Sequence, residues 1–463
     1  MTGSIAAPNP AEPNSTGLER DARLINAAPS HPAPGHPSSD HPSSGVAPGE
    51  IAIGVILGRT SEFFDFFVYA IASVLVFPSL VFPFVEPLTG TLYSFALFAL
   101  AFIARPLGSL IFMAVDRKHG KGVKLTIALF LLGGSTMAMA FLPGYSQIGV
   151  AAPVLLGLFR IGQGVALGGA WDGLPSLLSL NAPPGRRGWY AMIPQLGAPL
   201  GLLVASGLFA FFLSTLSPAD FLDWGWRYPF FVAFAINVVA LFARLRLVAT
   251  PEFERLFESR ELQPAPVGET LRLEGRTVIL GAFAPLASFA LFHLVTVFPL
   301  SWVVLFTPEQ PVRFLLIEML GAAVGVLAIL ASGLLADRFG RQRLLVVSAV
   351  MIGAFSGFAP QLLGQGGGGQ TIYMILGFIL LGLAFGQSSG ALSAGFPPHL
   401  RYTGAALTSD LAWLLGAGFA PLAALVLSTR FGLLSVGVYL LSGVVCTLVA
   451  LTAHRSLTPK RAA

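Results

Sequence analysis

Apolar and polar residues fall along this chain in long blocks. After a polar opening stretch, apolar runs follow one another at about residues 51–80, 89–114, 123–142, 148–178, 189–215, 226–248, 277–306, 312–336, 342–361, 370–395, 403–428 and 431–454. An α-helix needs roughly 20 apolar residues to cross the hydrocarbon of a bilayer. The pattern therefore predicts an all-α membrane protein with twelve transmembrane helices. The longest interior polar stretch, near 249–276, is rich in charge and divides the runs six and six. The predicted organisation is a disordered tail over 1–49, a six-helix bundle over 50–248, a linker over 249–276, a second six-helix bundle over 277–454 and a short tail over 455–463.

Composition agrees with lipid as the solvent. Of 463 residues, 55% are hydrophobic and only 11% charged, against about 25% charged in soluble proteins. A soluble surface needs more polar cover than this chain can supply. The tail is rich in Pro, Ser and Ala, with no apolar periodicity and no apolar segment of the kind a secretory signal carries. Its spaced histidines, His31, His36 and His41, give no fixed ligand geometry on a Pro-rich segment, so no metal site is expected. The single cysteine, Cys446, excludes an intrachain disulfide.

Charge placement gives an orientation. Arg117, Lys118, Lys121 and Lys124, then Arg186 and Arg187, then the bases from Arg244 through Arg276, then Arg338, Arg341 and Arg343, then Arg401, all fall after even-numbered runs. Arg455, Lys460 and Arg461 follow the last run, while the alternate loops hold Arg227, Arg313 and Arg430. By the positive-inside rule the basic side is cytoplasmic, with both termini there. The formal charge of +5 is thus topogenic and does not point to nucleic acid.

Two of these basic loops echo one another. Gly333, Asp337, Arg338, Gly340, Arg341 and Arg343 lie between runs 8 and 9, and Asp116, Arg117, Lys118, Gly120 and Lys121 lie between runs 2 and 3. An acid among bases at helix ends adds little to topology and suits a gate that pairs in one conformation and parts in another. The gating candidates are Asp116, Arg117, Asp337, Arg338, Arg341 and, at the end of run 4, Asp172.

The second loop resembles the signature loop of the major facilitator superfamily. Further segments resemble its metabolite:proton symporter branch, which includes proline/betaine, shikimate, α-ketoglutarate and citrate permeases. They are Ser61, Glu62, Asp65 and Tyr69 in run 1; Arg105, Pro106 and Gly108 in run 2; Arg160, Gln163, Gly164, Gly168, Gly169 and Trp171 in run 4; Pro183 to Gly188; Pro194, Gln195 and Gly197; Trp224 to Phe230; and Phe396 to Gly404. The chain departs from the family at Phe112, where a glycine is usual, at Ala170 in place of a glutamate, at Ala394 and Gly395, where an acid is usual, and at Asp410 in place of a glutamine. The resemblance implies two six-helix bundles, alternating access, an inner-membrane location and a functional monomer.

Charges inside apolar runs cost enough to imply function or a partner. Glu62, Asp65 and Tyr69 recur at helical spacing in run 1. Glu62 lies roughly 14 Å into the membrane. Two acids in a poorly solvated site hold protons more tightly, so Glu62 and Asp65 are proton-coupling candidates, with Asp410 as a further one. An ion pair with Arg59 or Arg105 is the structural alternative for the run 1 acids. Arg160 reaches the midplane from run 4 and can clamp a carboxylate in two-pronged fashion, or answer Glu62 and Asp65. Substrate-binding candidates are Arg160, Gln163, Tyr69, Gln195 and Gln387. His293 is read as a proton relay or as a histidine bonded to a neighbouring helix, and Glu318 as a solvated residue near the opposite surface.

The residues thus point to a secondary transporter importing a small organic acid or zwitterion with a proton. Alternatives are a uniporter or exchanger, and a transporter-like sensor. A membrane enzyme is disfavoured: the chain has no His-Glu metal pattern, no nucleophile elbow and no phosphate loop. No cofactor is expected, and the partners are the solute, the proton and membrane lipid.

Overall fold

The structure is a computed structural model that describes residues 48–170, 178, 182–183, 185–248, 263–393 and 395–455, together with Gly3. The histidines of the tail, the first half of the linker and Asp172 lie outside the described residues. Every regular element among the described residues is helical, as lipid demands of a chain that must satisfy each backbone N–H and C=O internally.

Among the described residues, eleven helices are long and apolar enough to cross a membrane: α2 (Pro87–His119), α3 (Lys121–Ala140), α4 (Ala151–Gly169), α5 (Arg187–Thr215), α6 (Gly225–Arg246), α7 (Leu286–Phe306), α8 (Pro311–Phe339), α9 (Arg341–Leu362), α10 (Gly366–Ala391), α11 (Pro398–Phe431) and α12 (Leu434–Ala453). The first helix, α1 (Pro48–Leu75), has the length at 28 residues. It is set apart by Glu50, Arg59, Glu62 and Asp65 along it. Leu107, Phe130, Val154, Leu158, Phe242, Leu327, Val347 and Val438 are exposed on the outside of the helices. In lipid this is the favourable place for them.

Helix ends differ from the hydropathy reading where polar residues continue a helix beyond the apolar zone. α2 runs on to His119. A helix already begins at Val267, inside the stretch read as linker, and bends at Glu274 (φ −125°, ψ 16°). α1 stops at Leu75, short of 80, and a separate turn, Phe77–Leu80, follows. α5 contains a 3₁₀ stretch, Ile193–Leu196, and α11 a π-helical stretch, Trp413–Gly418. Such interruptions are frequent at functional sites in membrane helices.

Helices α1–α6 form one bundle, with α1 against α5 and α6, α2 against α4, and α3 against α4 and α6. In the other, α8 packs on α10, and α9 on α10 and α12. Backbone contact draws α2 and α4 together: a Cβ at Gly164 would strike the Ala101 carbonyl, and one at Gly108 the Val165 carbonyl. Small residues at such crossings replace the hydrophobic drive that lipid removes. The halves meet along two seams, α5 on α8 and α2 on α11. The two echoed loops are built alike. Gly120 (φ 82°) and Gly340 (φ 89°) each turn the chain through the left-handed region, and their N–H groups cap the Asp116 and Ala336 carbonyls.

Candidate functional site: a midplane charge relay between two seams

The run of α1 acids separates in space. Glu62 is held by two guanidiniums, Arg59 on its own helix and Arg244 on α6. Arg244 also donates to the Ala170 carbonyl at 3.2 Å. Asp65 turns elsewhere. It accepts from Thr136 on α3 (2.5 Å), Gln163 on α4 (3.3 Å) and Asn237 on α6 (3.5 Å), all neutral donors. Asn237 is itself positioned by the Ser61 hydroxyl at 2.6 Å.

Arg160 pairs directly with neither acid, which corrects one of its two expected roles. Its guanidinium donates to Gln163 Oε1 at 2.6 Å and to the Phe98 carbonyl at 2.8 Å. It lies 4.0 Å from the centroid of the Tyr69 ring. Its Nε is buried without a partner. The Gln163 amide therefore bridges two unlike charges, accepting from Arg160 through Oε1 and donating to Asp65 through Nε2. Only this orientation of the amide satisfies both neighbours.

Between the halves stands a cage of rings. His293 on α7 stacks on Phe66 with centroids 5.0 Å apart and meets Phe98 at 5.4 Å edge-on. Its Nδ1 lies 3.4 Å from Thr296 Oγ1 on the same helix, and its Nε2 has no partner. The ring is thus held by its own helix and by aromatics of the opposite half, not by hydrogen bonds to a neighbouring helix. A small cavity adjoins this cage, lined by Arg59, Glu62, Phe66, Phe102, Arg105 and Trp413. A second, apolar one lies among α1, α5, α7, α8 and α10. Arg160, Gln163 and Tyr69 stand behind the first cavity: Phe98, which touches Arg160, packs on Phe66 and Phe102 of its wall.

Asp410 belongs to the α2–α11 seam. It accepts from Arg105 Nε at 2.8 Å and from Ser109 at 2.5 Å. Arg105 is thus engaged by Asp410 and not by Glu62. Nearer the basic side, Lys124 donates to Tyr402 at 2.7 Å and lies 3.4 Å from Asp116.

The α5–α8 seam uses the second loop acid differently from the expected acid–base pairing. Asp337 accepts the backbone N–H groups of Gly188 (2.6 Å) and Trp189 (3.1 Å) in the first turn of α5. A carboxylate there is favoured by free N–H groups and by the helix dipole. Arg117 and Arg338 are exposed, and Arg341 donates to the Gly390 carbonyl at 2.7 Å. Gln195 bonds to Ser388 (3.2 Å) and Gln387 to the Gly188 carbonyl (3.1 Å). Both glutamines therefore sit where α10 joins α5 beside this seam, and outside the two cavities. At the far end of the seam Glu318 is fully buried against Ser206. Its reading as a solvated residue is wrong, because α5 covers it.

Sequence reasoning passed over Arg244, Thr136, Asn237, Ser109 and Ser206. Arg244 was legible only as a topogenic base. The other four are small polar residues whose roles depend on which helix faces them.

With this geometry in view, the comparisons with known proteins are decisive. A model of the family described as "Sugar (and other) transporter" matches residues 51–265. The chain is 39% identical over 421 residues to the inner membrane metabolite transport protein YhjE of Escherichia coli K12, covering 88% of this chain and 95% of that one. The chain belongs to the major facilitator superfamily. The shikimate transporter of the same organism is 32% identical, over 87% of this chain and 93% of its own. Among solved structures, a D-xylose–proton symporter superposes with a TM-score of 0.68 at 17% identity, over 87% of this chain and 96% of that one, which speaks for the fold alone. This member of the superfamily is a multi-pass metabolite transporter and not an enzyme.

Proposed function

We propose that this transporter imports a small organic acid or zwitterionic metabolite together with a proton, by alternating access. The observation that carries the reading is the Arg160–Gln163–Asp65 relay: a buried guanidinium with no carboxylate, joined through one amide to a buried carboxyl with no direct cation. A guanidinium in that state is a ready two-pronged partner for a substrate carboxylate. A substrate that takes Arg160 also takes the group that fixes Gln163, and so alters the donors around Asp65. This links solute to proton. The names of the relatives, a shikimate and several proline/betaine transporters, suit solutes that carry a carboxylate. Glu62, clamped by Arg59 and Arg244, serves the stability of α1 against α6 in this reading, with Asp65 as the coupling carboxyl.

The basic side is cytoplasmic, both termini lie there, and the membrane is the bacterial inner one. The functional unit is the monomer, since both bundles and both seams belong to one chain.

The test is uptake into liposomes of labelled monocarboxylates, dicarboxylates, shikimate-like acids and betaines, with and without an inward proton gradient. Gradient-stimulated uptake that an uncoupler collapses supports the reading. Uptake indifferent to the gradient overturns it in favour of a uniporter or exchanger. Arg160→Lys keeps the charge but loses the planar fork, and uptake should fall at least about 100-fold, the order of two lost charge-assisted hydrogen bonds.

A further inference from the structure

Glu318 is a buried acid that neither the relay nor an ion pair among the described residues uses. It lies in α8, seven residues after Pro311, and so roughly 10 Å inside the non-basic end of its helix. It is 0% exposed. One oxygen accepts from Ser206 Oγ of α5 at 2.9 Å, and the other, Oε1, has no partner.

Among the described residues the helices around it offer no compensating charge. On α5 the only charged residue is Arg187, at the opposite end of the helix. On α10 there is none, and Tyr373 donates its hydroxyl to the Leu294 carbonyl. On α7 the one titratable group is His293, enclosed in the aromatic cage. On α9 the charges are Arg341 and Arg343 at the basic side. On α8 itself Arg313 is 62% exposed and pairs with Glu309. An ionised carboxylate with one hydroxyl donor and one orphan oxygen in such a place costs several kcal/mol.

We infer that Glu318 is a second proton-binding site, in the C-terminal bundle, whose protonated form with Ser206 closes the non-basic end of the α5–α8 seam. Opening that end admits water, the O–H proton leaves to it, and the electron pair stays on Glu318 as carboxylate. Reclosure requires the proton back. This rests on the alternating-access reading and adds to it a sensor of external pH on the half that lacks Asp65.

The test uses full-length protein with Cys446 replaced by serine, reconstituted in nanodiscs. Spin labels go at Ser214 on α5 and Arg313 on α8, both exposed. Distances are recorded from acid to alkaline pH in an Asp65→Asn background, which removes the coupling carboxyl of the relay. If one proton holds the seam shut, the open-to-closed ratio rises about tenfold per pH unit across the transition. Adding Glu318→Gln should make it flat. Ser206→Ala, which leaves the carboxyl in place, should displace the transition along the pH axis and keeps the test decisive if the glutamine variant misfolds. A flat response before Glu318 is changed, an unaltered slope after Glu318→Gln, or no displacement with Ser206→Ala overturns the proposal. A seam that opens with a transported solute but not with pH sinks this site alone. A seam that opens under neither sinks alternating access as well.

Discussion

The two seams between the bundles are made of different chemistry. Across α2–α11 a buried ion pair joins Arg105 to Asp410, and Tyr402 of α11 accepts from Lys124 of α3, which itself pairs with Asp116 of α2 inside the first bundle. On the other side, where α5 meets α8 and α10, they are bonds of amides and hydroxyls, Gln195 with Ser388 and Gln387 with Gly188 between α5 and α10, and Ser206 with Glu318 between α5 and α8. Asp337 there accepts the backbone N–H groups of Gly188 and Trp189. Parting a buried ion pair leaves two charges to be resolvated, whereas a neutral bond is exchanged for one to water at little net cost. The ionic seam is therefore suited to act as the hinge side that stays together, and the neutral seam as the side that opens and shuts.

The strongest way to break this contrast is to remove one partner of the ionic seam. Asp410→Ala strands Arg105 beside Trp413 and should destabilise the protein by about 3–5 kcal/mol, measured as thermal unfolding in detergent. Adding Arg105→Gln should recover most of the loss. If the single change is silent, the α2–α11 seam is not the held side.

A smaller effect comes from wedging the neutral seam. A Cβ at Gly188 would lie 2.7 Å from Ala336 Cβ and 2.8 Å from Asp337 Oδ1. Gly188→Ala should cost the closed form about 1–3 kcal/mol. A cysteine at Ser389, which now bonds to the Ala191 carbonyl at 2.7 Å, should then react faster with a polar maleimide. An unchanged labelling rate would place the moving contact elsewhere.

The mildest change sharpens the comparison. Gln195→Ala removes a single neutral bond, so stability should drop by only about 0.5–1.5 kcal/mol. A loss as large as that of Asp410→Ala would mean that the seams do not differ in kind.

Much of this molecule was legible in its residues. Block hydropathy placed most helix ends to within a few residues, but polar turns prolong some helices, as at His119 and Val267, and the end read for the fourth run falls on residues largely outside those described. The echo of Asp116 to Gly120 in Asp337 to Gly340 appeared in the structure as the same left-handed glycine turn. Asp65 was read as a buried acid from spacing alone. Its partners were not legible, for Thr136, Gln163 and Asn237 lie 71, 98 and 172 positions away. Glu318 was misread because depth along one helix was counted without knowing that α5 covers that face.

The sequence by itself determined what lipid enforces locally: how many helices, where they start, and which residues are too polar to face hydrocarbon without a reason. These follow from transfer free energies that each residue pays alone. Only the tertiary structure decided which polar residue answers which. Arg105 meets Asp410 across 305 positions and Arg244 meets Glu62 across 182, because such choices depend on helix rotation and crossing, set by small-residue contacts spread over the whole bundle.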